Sequence, residues 1–308
     1  MGIVPVELPR FAVDQKDVAE GRPGLTLGTS RNKSGPNQKK IFARPYAKIA
    51  SVTRQILQRL FSYTCRYLVR ILFLPVCRIQ MTHFNAGRPQ GGFILVSNHI
   101  SHFDPPLIGA WYLRYVDWMA MEELFVSRWS AALMYGLSAF PVRRDGRDGR
   151  AIREALGRLE IGRTVGLFPE GGIRAGTQSI LEGAPMWPGA CALSVHSGKP
   201  IVPCVILGTD RLYRPQNWLP FRRVPVWIGV GEPLFPENNS RSAHGREVLQ
   251  KRLSAAIIDL KERLRERYSL QGEDLPATPQ ARKRENHLPP TARRPGSQSA
   301  EYRGADEK

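Results

Sequence analysis

A histidine and an aspartate five residues apart are the first side chains in this sequence that could carry out chemistry. His99 and Asp104 lie in SNHISHFDPPL, residues 97–107, directly after the apolar run FILVS. A loop of this length can fold back so that the carboxylate meets one imidazole nitrogen, which leaves the other nitrogen to act as a general base. The alternative is that Asp104 caps a helix that begins with Pro105 and Pro106, with His99 at the surface.

The other polar residues of this segment are expected to support that pair. Asn98 is a candidate substrate-binding residue, and its amide can also orient the turn by hydrogen bonding. His102 is expected to be structural or exposed, because a zinc site made from His99 and His102 would lack further ligands. We therefore expect no metal site. Four widely spaced cysteines are expected to be buried thiols of a cytosolic protein: Cys65, Cys77, Cys191 and Cys204.

A glycine-rich turn is the second candidate. It lies in VGLFPEGGIRAG, residues 165–176, where an apolar run leads into Glu170, Gly171 and Gly172. The backbone amides of such a turn can approach an anion, and Arg174 is placed to bind it. A plain tight turn is the simpler interpretation. The pattern is not a nucleotide-binding P-loop, because no Gly-Lys-Ser/Thr follows it.

A cluster of arginines is the third candidate. In FPVRRDGRDGR, residues 140–150, the side chains of Arg143, Arg144, Arg147 and Arg150 crowd one turn. Guanidinium groups suit phosphate, and the turn precedes a predicted helix whose N-terminal dipole also favours an anion. Solvated loop charge is the alternative. The fourth segment, KPIVPCVIL, indicates by itself only a core strand.

The elements that must position these residues follow an alternating pattern between about residues 90 and 235. Such alternation predicts an α/β fold, with a single mixed sheet flanked by helices and chemistry at the strand ends. The predicted strands are residues 93–97, 116–121, 165–168, 201–207 and 224–231. The predicted helices are residues 104–112, 122–136, 149–159, 189–196 and 246–268.

A basic amphipathic helix is predicted before this domain, in VTRQILQRLFSYTCRYLVRILFLPV. Its arginines, Arg59, Arg66 and Arg70, lie opposite an apolar arc of Ile56, Leu57, Leu60, Phe61, Thr64, Tyr67, Leu68, Ile71 and Leu72. The helix could pack on the protein's own core with its arginines solvated. We favour a helix in the membrane interface, with its arginines towards anionic headgroups. Its uncharged aliphatic stretch is too short to span a bilayer.

The charge of the chain is concentrated towards its N-terminus. The 308 residues carry a net charge of +18, and the acid-free stretch 21–103 contributes 13 Lys and Arg. Such an excess implies an anionic partner, and without recognisable RNA-binding patterns we favour a membrane surface over nucleic acid. The predicted organisation is a disordered basic arm (1–45), a membrane-associating helical segment (46–82), a catalytic domain (83–270) and a disordered tail (271–308).

Taken in this order and spacing, the four segments resemble the glycerolipid acyltransferase family, which includes 1-acylglycerol-3-phosphate acyltransferase. The family signature is an NHxxxxD block, an arginine-bearing block about 40 residues on, an FPEG block and a strand containing Val-Pro. The matching residues here are Asn98–Asp104, Pro141–Arg144, Phe168–Gly171 and Ile201–Pro203. The resemblance covers about residues 85–235, roughly half of the chain.

The resemblance implies an O-acyltransferase of phospholipid biosynthesis. An acyl group would pass from acyl-CoA or acyl carrier protein to the hydroxyl of 1-acyl-sn-glycerol 3-phosphate, which gives phosphatidic acid without any cofactor. His99 would remove the hydroxyl proton, and Asp104 would support it. The family's phosphate-binding role carries over to Arg144, Glu170 and Gly171, and we add the neighbouring Gly172 and Arg174. Glu170 itself is expected to hold an arginine or a glycerol hydroxyl.

Two departures from the family pattern leave the acceptor open. Arg174 follows Glu170 by four residues rather than three, and Arg143 fills a place that is often acidic. Another lysophospholipid or lyso-lipid is therefore the alternative acceptor. The expected location is a peripheral or monotopic attachment to an anionic membrane, with the active site on the cytoplasmic side.

Overall fold

A computed structural model describes three of the four segments in full and the arginine segment, residues 140–150, in part. The described residues are 57, 59–84, 89–143, 148–219, 223–237 and 243–277. The predicted disordered arm (1–45) lies outside them, as does the predicted tail beyond residue 277, so the domain boundaries stay a prediction. Residues 272–274 of that tail form a 3₁₀ turn, in which Asp274 pairs with Arg211.

Seven strands among the described residues form one sheet, and its order is β1-β7-β6-β2-β5-β3-β4. Neighbouring strands are parallel except for β6 and β7, so the sheet is mixed, as predicted. The bounds are β1 Cys77–His83, β2 Phe93–Ser97, β3 Val116–Met121, β4 Phe140–Val142, β5 Thr164–Leu167, β6 Ile201–Leu207 and β7 Val224–Val230.

Helices cover both faces of the sheet. Their bounds are α1 residues 59–73, α2 Asp104–Trp111, α3 Arg128–Gly136, α4 Gly149–Glu160, α5 Gly189–Ser197 and α6 Ala243–Tyr268. Helices α4, α5 and α6 pack on one face, and α2 and the end of α1 pack on the other. Strand β2, FILVS, is buried at every position because it lies in the middle of the sheet.

The structure adds two strands to the predicted elements and divides one predicted helix. Strands β1 and β4 were not predicted. The sequence of β1, CRIQMTH, mixes polar and apolar residues, and β4 has only three residues. The helix predicted for residues 122–136 is divided into a 3₁₀ turn, Glu122–Phe125, and helix α3. The division occurs because Ser127 and Ser130 form a capping box, which starts a new helix.

Two arginines of helix α1 are directed differently from both expectations. Arg66 and Arg70 face the protein, where both donate to the carbonyl oxygen of Ala110, at 2.8 and 2.7 Å, and Arg66 also donates to that of Tyr112. These carbonyls lie at the C-terminal end of α2, where a cation is favourable. Burial lowers the pKa of Arg66, and the nearby Arg70 adds to this effect.

The apolar arc of α1 is consequently the exposed side. Tyr67, Leu68 and Ile71 are each 58–67% exposed. Helices α1 and α3 contact each other, because the Ser62 hydroxyl donates to the carbonyl of Gly136. Within the described residues, no helix is both long and apolar enough to cross a membrane.

A buried ion-pair cluster joins β3 to α4 and the turn after it. The carboxylate of Asp117 is fully buried and lies 3.3 Å from Arg158 and 2.5 Å from Arg163. Burial raises the pKa of Asp117, and the two arginines oppose that rise. Removing one partner of such a cluster leaves buried charge unpaired.

We therefore expect Asp117→Ala to lower the free energy of unfolding by about 3 kcal/mol, measured from the midpoint of urea denaturation. The matched control is Glu154→Ala, which removes an exposed carboxylate from the same Arg158 and should change stability by less than about 0.5 kcal/mol. Equal effects of the two substitutions would show that the Asp117 cluster is not important for stability.

Candidate active site

The NHxxxxD and FPEG segments meet because their strands are neighbours. Strands β2 and β5 pair in parallel, with Phe93 opposite Thr164 and Val96 opposite Leu167. The carboxyl ends of parallel strands lie at the same edge of a sheet, where open α/β sheets bind their ligands. The turn that holds His99 follows β2 at this edge, and the glycine-rich turn follows β5.

His99 and Asp104 form the predicted pair. The imidazole Nδ1 lies 2.9 Å from a carboxylate oxygen, Oδ2, of Asp104. The same oxygen accepts the backbone N–H groups of Ile100 and Ser101 at 2.7 and 2.8 Å, and Oδ1 accepts the hydroxyl of Thr209. These donors compensate the burial of a carboxylate that is 0% exposed.

The helix-capping alternative for Asp104 is wrong. Asp104 is the first residue of α2 rather than its N-cap, which is Phe103. Its carboxylate points back to the loop and holds His99 there. The imidazole is 16% exposed, and none of the described residues bonds its Nε2. The pair therefore has the arrangement of a general base with its reactive nitrogen available.

The glycine-rich turn holds the backbone of His99 on both sides. The carboxylate of Glu170 accepts the N–H of His99, and the N–H of Arg174 donates to the carbonyl of His99 at 2.8 Å. Two segments about 70 residues apart in sequence are thus joined at His99. The turn fixes the position from which the imidazole acts.

The contacts of Glu170 differ from those expected for it. Its other oxygen accepts the hydroxyl of Ser179 at 2.8 Å and the N–H of Ile180 at 2.9 Å. Burial raises the pKa of Glu170, while these donors and His99 favour the carboxylate and oppose the rise. The side chain is 6% exposed and therefore positions the protein's own backbone rather than an arginine or a glycerol hydroxyl.

Asn98 also supports the turn instead of facing a substrate. Its amide nitrogen donates to the carbonyl of Ile206 at 2.9 Å, and its oxygen accepts the N–H of Ile206 at 2.8 Å. The side chain is fully buried, which corrects its assignment as a substrate-binding residue. His102 is exposed, as expected, and its Nδ1 lies 2.6 Å from the hydroxyl of Tyr213.

The surface of the glycine-rich turn is open on one side. Gly171 has φ +67°, and a side chain there would also meet the indole of Trp187 at 2.9 Å, so glycine is required. Among the described residues, nothing lies within 4 Å of the place where a side chain at Gly172 would begin. Arg174, two residues further along the chain, is exposed.

The arginine cluster is only partly described. Arg144 and Arg147 lie outside the described residues, so the role predicted for Arg144 stays a prediction. The N-terminus of α4 is occupied by Asp148, whose carboxylate accepts the N–H groups of Arg150 and Ala151 at 3.1 Å. The helix dipole predicted to attract phosphate is therefore already used by a side chain of the protein.

Several contacts of the site were not predicted from the sequence. Thr209 follows the carboxyl end of β6, which is the neighbour of β2 in the sheet. This position was the available sequence signal for its contact with Asp104. Phe168 was recognised as part of the FPEG block without a role, and its ring stacks on His99 with 4.3 Å between centroids. The described residues contain no group of three His, Cys, Asp or Glu side chains that could hold a metal ion.

His99, Asp104 and Glu170 lie in a segment of the chain that has known relatives. Residues 78–207 match the acyltransferase family model. The 1-acyl-sn-glycerol-3-phosphate acyltransferase of Bacillus subtilis (strain 168) is 28% identical over 176 residues, which cover 57% of this chain and 80% of that protein. The resemblance to the glycerolipid acyltransferase family is thereby confirmed over residues 78–207.

The prediction of an O-acyltransferase is thereby confirmed. The fold is confirmed as well. It is similar to the crystal structure of the 1-acyl-sn-glycerophosphate (LPA) acyltransferase PlsC from Thermotoga maritima, with a TM-score of 0.50 at 22% identity. That similarity covers 71% of this chain and 90% of the other chain.

The site predicts a specific effect of Glu170→Gln. A glutamine has one acceptor oxygen, so its NH₂ group must face at least one of the donors that Glu170 now accepts. We expect the free energy of unfolding to fall by about 1–3 kcal/mol and acyl transfer to fall by about 10- to 100-fold, because His99 is displaced.

Steady-state kinetics and thermal melting of the purified variant would measure both effects. Glu232→Gln makes the same change at an exposed position of the chain and serves as the control. Full activity of Glu170→Gln beside an unchanged control would contradict the positioning role of Glu170.

Proposed function

We propose that the protein transfers an acyl group from an acyl thioester to the free hydroxyl of 1-acyl-sn-glycerol 3-phosphate, giving phosphatidic acid. The observation that carries this proposal is the imidazole of His99, whose Nδ1 is 2.9 Å from a buried carboxylate while its Nε2 is left for a proton. The acceptor is inferred from the Bacillus subtilis relative, which is a 1-acyl-sn-glycerol-3-phosphate acyltransferase. The thioester donor would be acyl-CoA or acyl carrier protein.

In this mechanism the acceptor itself is the nucleophile. Nε2 of His99 takes the hydroxyl proton as the acceptor oxygen attacks the thioester carbonyl, and Asp104 stabilises the imidazolium that forms. The new C–O bond is completed as the C–S bond breaks. The imidazolium then returns its proton to the thiolate, so the enzyme ends unchanged and no acyl-enzyme is formed.

The acceptor phosphate has a candidate partner at the open side of the glycine-rich turn. Arg174 is exposed there, and its backbone is bonded to His99, so its side chain starts a short distance from the reacting centre. A guanidinium binds phosphate through paired hydrogen bonds. Gly172 leaves room for close approach, while the buried Glu170 takes no part in this contact.

An acceptor panel with the purified enzyme tests the proposal. The expected result is a clear preference for 1-acylglycerol 3-phosphate over lyso-lipids that lack a terminal phosphate, measured as kcat/KM with one acyl thioester. A strong preference for a phosphate-free acceptor would contradict the proposed acceptor and favour the alternative lyso-lipid.

The catalytic control in this panel is His99→Ala. Loss of the general base should lower acyl transfer by at least about 10²- to 10⁴-fold without changing the thermal melting temperature appreciably. Unchanged turnover by the folded variant would exclude the mechanism for every acceptor in the panel.

We further propose that the enzyme acts at the cytoplasmic face of an anionic membrane, held there peripherally or monotopically through α1 and α3. The exposed apolar side chains of these helices support this, since large apolar patches on a soluble domain are unusual. Trp129 of α3 is 88% exposed, and Leu68 and Ile71 of α1 are 58% and 67% exposed. The cysteines are free thiols, which suits a reducing compartment.

Because Arg66 and Arg70 hold α2, the contribution of α1 to membrane binding would come from apolar burial. We expect the double substitution Leu68→Ser and Ile71→Ser to weaken partition onto anionic liposomes on the order of 100-fold in a sedimentation assay. Ile161→Ser, which alters a 72% exposed side chain at the end of α4, is the matched control. Equal binding of the wild-type, double-substituted and control proteins would refute the role of α1.

A further inference from the structure

An aromatic column stands behind the imidazole of His99. The ring of Phe168 stacks on the imidazole with 4.3 Å between centroids and 23° between planes. The indole of Trp118 stacks on the other side of Phe168, at 4.9 Å and 4°. The three rings come from the turn after β2, the end of β5 and the middle of β3, so three strands of the sheet contribute to the column.

The column is held by close packing. Trp118 is 7% exposed and lies between two glycines of neighbouring elements. A side chain at Gly166 would come within 2.7 Å of the indole, and one at Gly109 would approach its Nε1 to 3.3 Å. Larger residues at these positions would displace Trp118, and Phe168 would lose the surface that keeps it parallel to His99.

The stacking acts on the ring that changes charge during acyl transfer. A neutral imidazole gains little from the face of a phenyl ring beyond packing. An imidazolium places positive charge within about 6 Å of the ring centroid, where the negative face of the π system attracts it. The attraction is therefore stronger in the transition state than in the ground state, which is the condition for faster chemistry.

We propose that Phe168, aligned by Trp118, is a positioning residue that also stabilises the His99 imidazolium through its π face. This rests on the proposed role of His99 as general base. Asp104 acts on the imidazolium at Nδ1, and Phe168 acts on the face of the ring. The two contacts leave Nε2 to the substrate.

Progressive fluorination of Phe168 tests the proposal, because fluorine removes the negative face of the ring with little change of shape. Mono-, di- and trifluorophenylalanine would be incorporated at position 168, and the single-turnover rate of acyl transfer would be measured at saturating acceptor. We expect the rate to fall stepwise, by about 2- to 30-fold for the trifluorinated ring, with little change in KM. The same series at Phe73, a buried ring that packs on Phe103 and Trp218, should have no effect on the rate.

Two substitutions complete the test. Phe168→Tyr keeps the π face and should retain most of the activity, whereas Phe168→Leu should lose at least as much as the trifluorinated ring. A rate that is independent of fluorination in a folded, active enzyme would overturn the role of Phe168 and leave acyl transfer by His99 intact. Full activity of His99→Ala would instead overturn the proposed function on which this inference rests.

Discussion

The parallel pairing of β2 with β5 is the constraint on which the active site depends. Because both strands end at the same edge of the sheet, the turn that holds His99 lies against the turn that contains Glu170. The second turn then contacts His99 at its N–H, at its carbonyl and at the face of its ring. The backbone of His99 is thus held at its N–H and its carbonyl, and its ring is held by the stacked ring of Phe168.

Two buried carboxylates divide the positioning of this histidine between them. Asp104 orients the ring, and Glu170 orients the backbone, and each accepts several hydrogen bonds that compensate its burial. Neither carboxylate is open to a substrate. The FPEG segment therefore holds His99 in place, and in the proposed mechanism the substrate would contact the exposed parts of the same turn, such as Arg174.

The sequence was sufficient for the features that depend on local pattern. Five core strands, the mixed sheet and the His99–Asp104 pair were predicted because apolar runs are short-range signals and the pair lies within one loop. The role of Glu170 and the partner of Asn98 could not be predicted, since His99 and Ile206 are 71 and 108 residues away from them. The side on which α1 packs could not be predicted for another reason. An amphipathic pattern defines two faces of a helix without saying which one packs on the protein.

The central claim is that the protein holds His99 as the tautomer in which Nδ1 is protonated and donates to Asp104, while Nε2 is unprotonated. ¹⁵N NMR of histidine-labelled enzyme at mildly alkaline pH tests this directly, with the His99 signals assigned by their loss in His99→Ala. We predict a protonated Nδ1 and an unprotonated Nε2 for this residue. A protonated Nε2 on the neutral ring would contradict the account, because that nitrogen could not then accept the proton of the acceptor hydroxyl.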